Sequence, residues 1–274
     1  MEYQLIALDL DGTLLRSDKT LSPENAAALA RAAAAGAEIV PATGRFLRAV
    51  PPAVRALPFL HYVITVNGAR VVELATDRTL YRAELPWERG VEVMEYLDTL
   101  LVIYDCYMDG WGWMTQSLYD LSLDFALPPH TLALIRDFRT PVPELKTHLA
   151  RVGHGLQKIQ AYFPDVAQKR RGMEELARRF PDLELSSSSP RNVEMNSKDA
   201  TKGKALAALA AALKIDLSRT LAFGDDLNDV SMLRTAGRGV AMGNACPEAV
   251  TAADAVTLPC DEDGVAAFLD GLDF

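Results

Sequence analysis

Short apolar runs and amphipathic stretches alternate from the start of the chain. Gln4 to Leu10 is an apolar run with the length of a buried strand, too short for an ordinary helix. Ser22 can cap a helix that begins at Pro23, and the alanine-rich stretch after it stops at Gly36. The pattern therefore predicts a strand followed by a helix.

Two further apolar runs continue this order. Glu38 to Ala42 predicts a second strand, and Val63 to Val66 predicts a third strand just before Asn67-Gly68. A strand, a helix and another strand joined by short connections are typical of a parallel sheet. We therefore expect these first strands to belong to one parallel sheet.

The end of the chain repeats this alternation. Lys204 to Lys214 predicts a helix, while Thr220 to Phe223 and Gly239 to Met242 predict buried strands. Asp229 to Thr235 predicts a short helix that ends at Gly237. Both ends of the chain are expected to form one α/β core, in which helices flank a parallel sheet.

The middle of the chain has a different composition. Aromatic residues cluster there, and the alternation over residues 104–108 favours a strand with one exposed face. The stretch from Ser186 to Pro190 has the composition of a linker. We expect a discontinuous core of residues 1–83 and 189–274, interrupted by an α+β domain of residues 84–188.

Composition and charge restrict the class of function. Of the 274 residues, 49% are hydrophobic and 24% are charged, as in an ordinary globular protein. The net charge of −9 argues against an anionic nucleic acid or membrane surface as a partner. The three cysteines lack zinc-site spacing, and no apolar run has the ~20 residues of a membrane helix. We expect a cytoplasmic protein, and a monomer or a homodimer remains open.

Two carboxylates follow the first predicted strand, in Asp9-Leu10-Asp11-Gly12-Thr13. Side chains two residues apart project from the same side of an extended chain, so Asp9 and Asp11 can meet one ligand together. In an open α/β sheet, ligands bind at the carboxyl ends of the strands. The alternative interpretation is an ordinary Asp-Gly turn.

A second acidic loop, Gly224 to Asp229, follows the predicted strand that ends at Phe223. Its three aspartates would repel one another without a cation. The oxygen ligands that these aspartates and the asparagine offer favour Mg²⁺ over zinc. The alternative is a solvated turn or a helix start, because Asp229 is well placed to cap the helix after it.

Two weaker signals lie between these acidic loops. Thr43-Gly44-Arg45 follows the second predicted strand and offers a hydroxyl and backbone N–H groups to a phosphate. Lys202 directly precedes a predicted helix and offers a point cation. Each could be an ordinary turn or a solvated lysine by itself. Their order and their placement make them candidates for phosphate binding.

The four motifs, in this order, resemble those of the haloacid dehalogenase superfamily of phosphatases, and within it the Cof-type branch. Segments similar to that branch surround them: Ile64-Thr65-Val66-Asn67-Gly68-Ala69, Lys202-Gly203-Lys204-Ala205-Leu206, Val240-Ala241-Met242-Gly243-Asn244-Ala245 and Asp263-Gly264-Val265. The resemblance implies a Rossmann-like core, a large α+β cap of the C2 type, Mg²⁺ dependence and hydrolysis of small phosphate monoesters such as sugar phosphates. One departure is Thr251, where many relatives carry a lysine.

The resemblance also implies a role for each motif residue. Asp9 would be the nucleophile that forms an aspartyl phosphate, and Asp11 the general acid and base. The implied Mg²⁺ ligands are Asp9, the backbone carbonyl of Asp11, and Asp225, supported by Asn228 and Asp229. The implied phosphate-binding residues are Thr43, Gly44 and Lys202.

Substrate choice is expected to depend on the inserted domain. The candidate substrate-binding residues are Arg45, Asn67, Trp111, Trp113 and Lys158. Packing within the inserted domain is the alternative for the tryptophans, and a position at a strand edge is the alternative for the lysine. The alternative functions are a phosphomutase acting on a sugar phosphate and a non-catalytic sensor of a phosphorylated metabolite.

Overall fold

The structure is a computed structural model that describes residues 2–125 and 127–272. Its chain divides into two compact units. The first comprises Met1–Arg82 and Ala200–Phe274, and the second comprises Ala83–Asp199. A helix with the length and apolar character to cross a membrane does not occur in the described part of the chain.

Strands and helices alternate through both units. The strands are β1 (Leu5–Leu8), β2 (Glu38–Pro41), β3 (Tyr62–Thr65), β4 (Arg70–Glu73), β5 (Arg78–Arg82), β6 (Ile103–Met108), β7 (Trp111–Thr115), β8 (Arg139–Val142), β9 (Lys158–Tyr162), β10 (Leu183–Ser186), β11 (Asn192–Ser197), β12 (Thr220–Gly224), β13 (Arg238–Ala241) and β14 (Ala255–Val256). The helices are α1 (Pro23–Ala34), α2 (Pro52–Arg55), α3 (Trp87–Leu97), α4 (Gln116–Ser122), α5 (Pro129–Phe138), α6 (Leu145–Val152), α7 (Val166–Arg179), α8 (Lys202–Leu213), α9 (Val230–Thr235), α10 (Pro247–Ala252) and α11 (Gly264–Leu269).

A five-stranded parallel sheet forms the centre of the first unit, with the strand order β14-β13-β12-β1-β2. Strand β1 lies between β12 and β2, and all of its residues are buried. This position explains why the chain begins with a continuous apolar run, since a strand covered on both faces has no solvent side. The predicted α/β core with a parallel sheet is confirmed.

Strand β3 departs from the prediction. It pairs antiparallel with β4, which pairs with β5 in a separate three-stranded sheet. Its links to the side of β2 are the isolated parallel bridges Ile39–Leu60 and Ala42–Ile64. The expectation that this strand belongs to the parallel sheet was therefore wrong. The tight turn over Val66–Gly68 reverses the chain directly after β3, which explains the antiparallel pairing of β3 with β4.

The helices of the first unit begin and end at the predicted kinds of residue. The Ser22 hydroxyl caps α1 by accepting a hydrogen bond from the Asn25 amide at 3.1 Å. Helix α8 begins at Lys202, two residues before the predicted start, with Thr201 as its N-cap. The Thr251 hydroxyl donates to the Pro247 carbonyl at 2.7 Å, so it contacts its own helix, α10.

The second unit contains a six-stranded sheet with the order β10-β11-β9-β6-β7-β8. Its strands are antiparallel except for the β7–β8 pair. A buried apolar cluster joins β6, β9 and β11 to α3, α6 and α7. Because β11 pairs with β9 and β10, this unit continues to Asp199, beyond the predicted boundary at residue 188.

Candidate active site

The carboxyl ends of β1 and β12 lie side by side, because these strands are parallel neighbours. The Asp9 amide donates to the Phe223 carbonyl at 3.0 Å, which fixes the start of the first acidic loop against the end of β12. Asp225 follows β12 by one residue. The two acidic motifs, more than two hundred positions apart in the sequence, therefore meet at one edge of the sheet.

Three carboxylates converge at this edge. Asp9, Asp225 and Asp229 each offer an oxygen atom, and these atoms lie within 4.8 Å of one another. The Thr13 hydroxyl donates to Asp225 Oδ1 at 2.7 Å. A Cβ atom at Gly12, whose φ is +94°, would lie 2.4 Å from Asp225 Oδ2. Glycine is favoured there because its φ is positive and because a side chain would displace the Asp225 carboxylate.

Lys202 is completely buried and lies between two of these carboxylates. Its Nζ donates to Asp9 Oδ1 at 2.5 Å and to Asp229 Oδ1 at 2.6 Å. Burial lowers the pKa of Lys202, but the attraction of Asp229 and Asp9 outweighs it and raises that pKa overall. The lysine predicted from its position before a helix is therefore held in its charged form by the two carboxylates.

One buried lysine does not balance three clustered carboxylates. Burial and the charges of Asp229 and Asp225 raise the pKa of Asp9 well above its ordinary value, although Lys202 opposes them. Burial and the charge of Asp229 raise the pKa of Asp225 to about 7. A cation bound among the carboxylates would relieve this repulsion, and carboxylate oxygens suit a hard divalent ion. The residues present therefore fit a metal ion.

Asp229 also holds the acidic loop in shape. Its Oδ2 accepts hydrogen bonds from the backbone amides of Asp225 at 2.9 Å and Asp226 at 3.1 Å. Its Oδ1 accepts the hydrogen bond from Lys202. These contacts agree with a supporting role, in which Asp229 positions Asp225 and orients Lys202.

The Asp11 side chain is one-third exposed and is not one of the three carboxylates grouped at this edge. Arg45 binds it in a bidentate manner, with Nε and Nη2 each 2.7 Å from a carboxylate oxygen. Lys19 Nζ lies 3.0 Å from Asp11 Oδ1. Burial raises the pKa of Asp11, but hydrogen bonds from Arg45 and the charge of Lys19 lower it overall. Arg45, predicted as a substrate-binding residue, is thus a partner of Asp11.

Lys19 was missed by the sequence analysis. It lies in a turn in which its amide donates to the Arg16 carbonyl at 2.9 Å, and its φ is +69°. No local pattern distinguishes it from an exposed lysine on any turn. Only the folded chain brings its side chain to Asp11.

The loop Thr43-Gly44-Arg45 follows β2 at the same edge of the sheet. Thr43 is buried, and its hydroxyl accepts a hydrogen bond from the Arg45 amide at 3.1 Å. Asn67 lies against this loop and accepts a hydrogen bond from Asn228 Nδ2 at 3.1 Å. The first unit therefore holds the following predicted residues: Asp9, Asp11, Thr43, Gly44, Arg45, Asn67, Lys202, Asp225, Asn228 and Asp229.

The predicted tryptophans lie in the second unit and have partners there. Trp111 Nε1 donates to Thr140 Oγ1 at 2.8 Å, and its ring meets Phe138 edge-on. Trp113 Nε1 donates to the Met108 carbonyl at 3.3 Å, and its ring stacks on His148. These contacts agree with the packing interpretation of both side chains.

Lys158 is buried inside the second unit's sheet. Its Nζ lies 3.2 Å from Glu194 Oε2 and 4.7 Å from the centroid of the Tyr107 ring. Strand β9, which carries Lys158, pairs with β6 on one side and β11 on the other. The alternative of a strand-edge lysine is therefore wrong, because β9 is an internal strand.

Comparisons with known proteins identify relatives over nearly the whole chain. A family model described as haloacid dehalogenase-like hydrolase matches residues 6–269. The phosphatase YwpJ of Bacillus subtilis is 34% identical, with 98% of this chain and 99% of that protein covered. The 5-amino-6-(5-phospho-D-ribitylamino)uracil phosphatase YcsE of the same organism is 29% identical, with 97% and 94% covered.

A solved structure shows the same fold. It is that of a haloacid dehalogenase-like hydrolase from Bacillus subtilis, with a TM-score of 0.84 and 32% identity. The comparison covers 98% of this chain and 100% of that one. The similarity therefore extends through both units and is not confined to the motifs.

Proposed function

This chain belongs to the haloacid dehalogenase-like hydrolase family and is a phosphatase of its Cof-type branch, and we propose that it hydrolyses small phosphate monoesters with Mg²⁺. One observation carries the proposal. Asp9, Asp225 and Asp229 converge at the carboxyl ends of β1 and β12, with Lys202 buried among them. This arrangement supports a carboxylate nucleophile beside a cation site.

The charge of the substrate explains why this site needs cations. A phosphate monoester is a dianion at neutral pH, so it repels a bare carboxylate nucleophile. Lys202 supplies one fixed positive charge at 2.5 Å from Asp9. Mg²⁺, when bound by Asp9, Asp225 and the backbone carbonyl of Asp11, would supply further positive charge beside the phosphoryl group. Asn228 and Asp229 would support these ligands.

The proposed reaction has two displacement steps. In the first, a carboxylate oxygen of Asp9 forms a bond to phosphorus while the bond from phosphorus to the alcohol oxygen breaks, and Asp11 gives its proton to the departing oxygen. In the second, Asp11 removes a proton from water, whose oxygen displaces Asp9 from phosphorus. Thr43, Gly44 and Lys202 would hold the phosphoryl oxygens through both steps.

The partners of Asp11 suit its two tasks differently. Arg45 and Lys19 favour the carboxylate form, which is the form that accepts a proton from water. Protonation of the leaving alcohol requires the neutral carboxyl group, so the contact with Arg45 must loosen before the first step. Arg45 is therefore proposed to control the state of Asp11 as well as to line the site.

The substrate is proposed to be a small phosphorylated metabolite, such as a sugar phosphate. YcsE, by its name, acts on a phosphorylated ribitylamino derivative of uracil, which is a small phosphate monoester of this kind. We assign catalysis to the first unit, which holds all the motif residues, and substrate choice to the second. The proposed partner is accordingly a small-molecule phosphate ester, and neither a nucleic acid nor a membrane.

A panel of phosphorylated metabolites tests this function. Purified protein with Mg²⁺ should release inorganic phosphate from at least one sugar phosphate, and excess chelator should stop the release. Conversion of a hexose phosphate to its isomer without phosphate release would identify a phosphomutase. Binding of a metabolite without any turnover would identify a sensor. Either of these results would contradict the proposed hydrolysis.

The stability of the metal-free protein is expected to depend on pH through the acidic group. The pKa of Asp225 is about 7 in the folded chain, against an ordinary value of 3.8. The folded state therefore binds more protons than the unfolded state between these values, so the free energy of unfolding falls as pH rises from 4 to 7. The raised pKa of Asp9 acts in the same direction.

Mg²⁺ should bind the ionised carboxylates and so offset the fall in the free energy of unfolding between pH 4 and pH 7. The measurement is thermal unfolding at pH 5 and pH 7, each in chelator and in Mg²⁺. We expect Mg²⁺ to raise the unfolding midpoint more at pH 7, and the Asp225→Asn variant to lose most of this increase. Equal increases at both pH values, or none, would count against metal binding at the acidic group.

A further inference from the structure

The turn after β3 has an unusual backbone. Val66, Asn67 and Gly68 all have positive φ, at +50°, +59° and +98°. The left-handed region is common for glycine and tolerated by asparagine, but a β-branched valine is a clear outlier there. Such strain persists only where the surrounding structure imposes it. The segments that contact this turn are therefore expected to impose its strained backbone.

The backbone of the turn is tied to the predicted phosphate loop. The Val66 amide donates to the Arg45 carbonyl at 3.0 Å, and the Asn67 amide donates to the Thr43 carbonyl at 3.0 Å. These bonds fix the carbonyls on both sides of Gly44. The backbone N–H of Gly44, which would face a phosphoryl oxygen, thus has its orientation set by the strained turn.

The other side of the turn meets the start of α8. A Cβ atom at Gly68 would lie 2.2 Å from the Thr201 carbonyl oxygen, so only glycine allows this approach. Thr201 is the N-cap of α8, and the next residue is the buried Lys202. The turn therefore contacts the element that delivers the lysine to Asp9.

The Asn67 side chain connects the phosphate loop to the acidic loop. It is buried, and its Oδ1 accepts the hydrogen bond from Asn228 Nδ2 at 3.1 Å. A Cβ atom at Gly44 would lie 2.7 Å from the same Oδ1, so the amide of Asn67 packs directly on Gly44. One side chain thus touches both the loop expected to bind an anion and the loop expected to bind a cation.

We propose that Asn67 is a positioning residue that couples phosphate binding at Thr43-Gly44 to cation binding at the acidic loop. Its hydrogen bond to Asn228 sets the spacing between the two loops, and its backbone sets the orientation of Gly44. A cation that orders the acidic loop then orders the phosphate loop through this contact. The proposal rests on the proposed function for the identity of the two ligands.

Binding of inorganic phosphate, measured by calorimetry with and without Mg²⁺, tests this coupling. For the unaltered protein, we expect Mg²⁺ to tighten phosphate binding about tenfold or more. Asn67→Gly is the informative variant, because glycine adopts the same left-handed backbone and loses only the amide. We expect it to reduce the Mg²⁺ effect about fivefold, which a purely structural role would not do.

Two further variants sharpen the test. Asn228→Ala should lose the same part of the coupling, and the double variant should lose no more than either single one. Asp77→Gly is the matched control, because Asp77 also has a left-handed backbone, with φ at +56°, but lies exposed in the turn between β4 and β5. The control should retain the full Mg²⁺ effect, and all variants should keep the unfolding midpoint of the metal-free protein within a few degrees.

The possible results distinguish the positioning role of Asn67 from the proposed phosphatase function. If the unaltered protein binds phosphate equally with and without Mg²⁺, the coupling is refuted, whereas the proposed function is refuted only if the metabolite panel releases no phosphate. If the unaltered protein shows the Mg²⁺ effect and Asn67→Gly retains it in full, the positioning role is refuted and the proposed function is untouched. Additive losses in the double variant would also refute the role, since Asn67 and Asn228 would then act separately.

Discussion

Replacing Asp9 with asparagine is expected to lower kcat for p-nitrophenyl phosphate by about 10⁴-fold or more, because an amide cannot form the bond to phosphorus. The fold should persist. In the absence of metal, Asp9 is one of three clustered carboxylates that share one lysine, and its pKa is raised accordingly. A neutral side chain relieves that repulsion, so the unfolding midpoint in chelator should equal or exceed that of the unaltered protein.

Steady-state kinetics in Mg²⁺ and thermal unfolding in chelator measure the two parts of this result. The control is Asp77→Asn, which makes the same chemical change at an exposed aspartate and should leave kcat unaltered. Undiminished hydrolysis by Asp9→Asn would overturn the assignment of the nucleophile. A collapse of the fold in this variant would contradict the electrostatic description of the acidic group.

Replacing Lys202 with methionine is expected to remove both activity and much of the stability. The lysine is completely buried and hydrogen-bonded to Asp9 and Asp229. Removing one partner of a buried ion pair leaves uncompensated charge and typically costs about 3–5 kcal/mol of unfolding free energy. Methionine replaces lysine as far as Cε and removes only the terminal ammonium group, so the loss would come from charge more than from a cavity.

Chemical denaturation in chelator at pH 7 measures this loss, and phosphate release measures the activity. Lys204→Met is the matched control, because Lys204 is exposed two positions further along α8. A surface change of this kind should alter stability by only about 0.5 kcal/mol. Equal stability of the Lys202 and Lys204 variants would show that Lys202 does not stabilise the acidic group.

The local pattern of apolar and polar residues was sufficient to predict the strands that carry the acidic motifs, β1 and β12. The residues Leu5–Leu8 are all apolar because β1 is covered on both faces, and Gln4 and Asp9 flank the strand. The same reasoning located β12 ahead of the second acidic loop. The resemblance to the haloacid dehalogenase superfamily implied that Asp9 and Asp225 bind one cation, and the convergence of their carboxylates at one edge of the parallel sheet agrees with it.

The sequence did not predict the ion-pair partners of the charged side chains, because these depend on contacts between distant segments. Arg45 was predicted to face a substrate, yet the fold pairs it with Asp11. Lys19 carries no local signal, but a turn brings it to the same carboxylate. Lys158 was left open between an anionic ligand and a strand edge, and the pairing of β9 on both sides places it inside a sheet.

By itself, the sequence determined the alternation of elements, the parallel core and the placement of the two acidic loops directly after strands, since these depend on residue periodicity and on which side chains end each strand. Only the tertiary structure decided the pairing of β3 with β4, the burial of Lys202 between two carboxylates and the link from Asn67 to Asn228. Such contacts arise from the packing of segments far apart in the chain. The distances between these residues depend on how the whole unit folds, and a local sequence pattern cannot predict them.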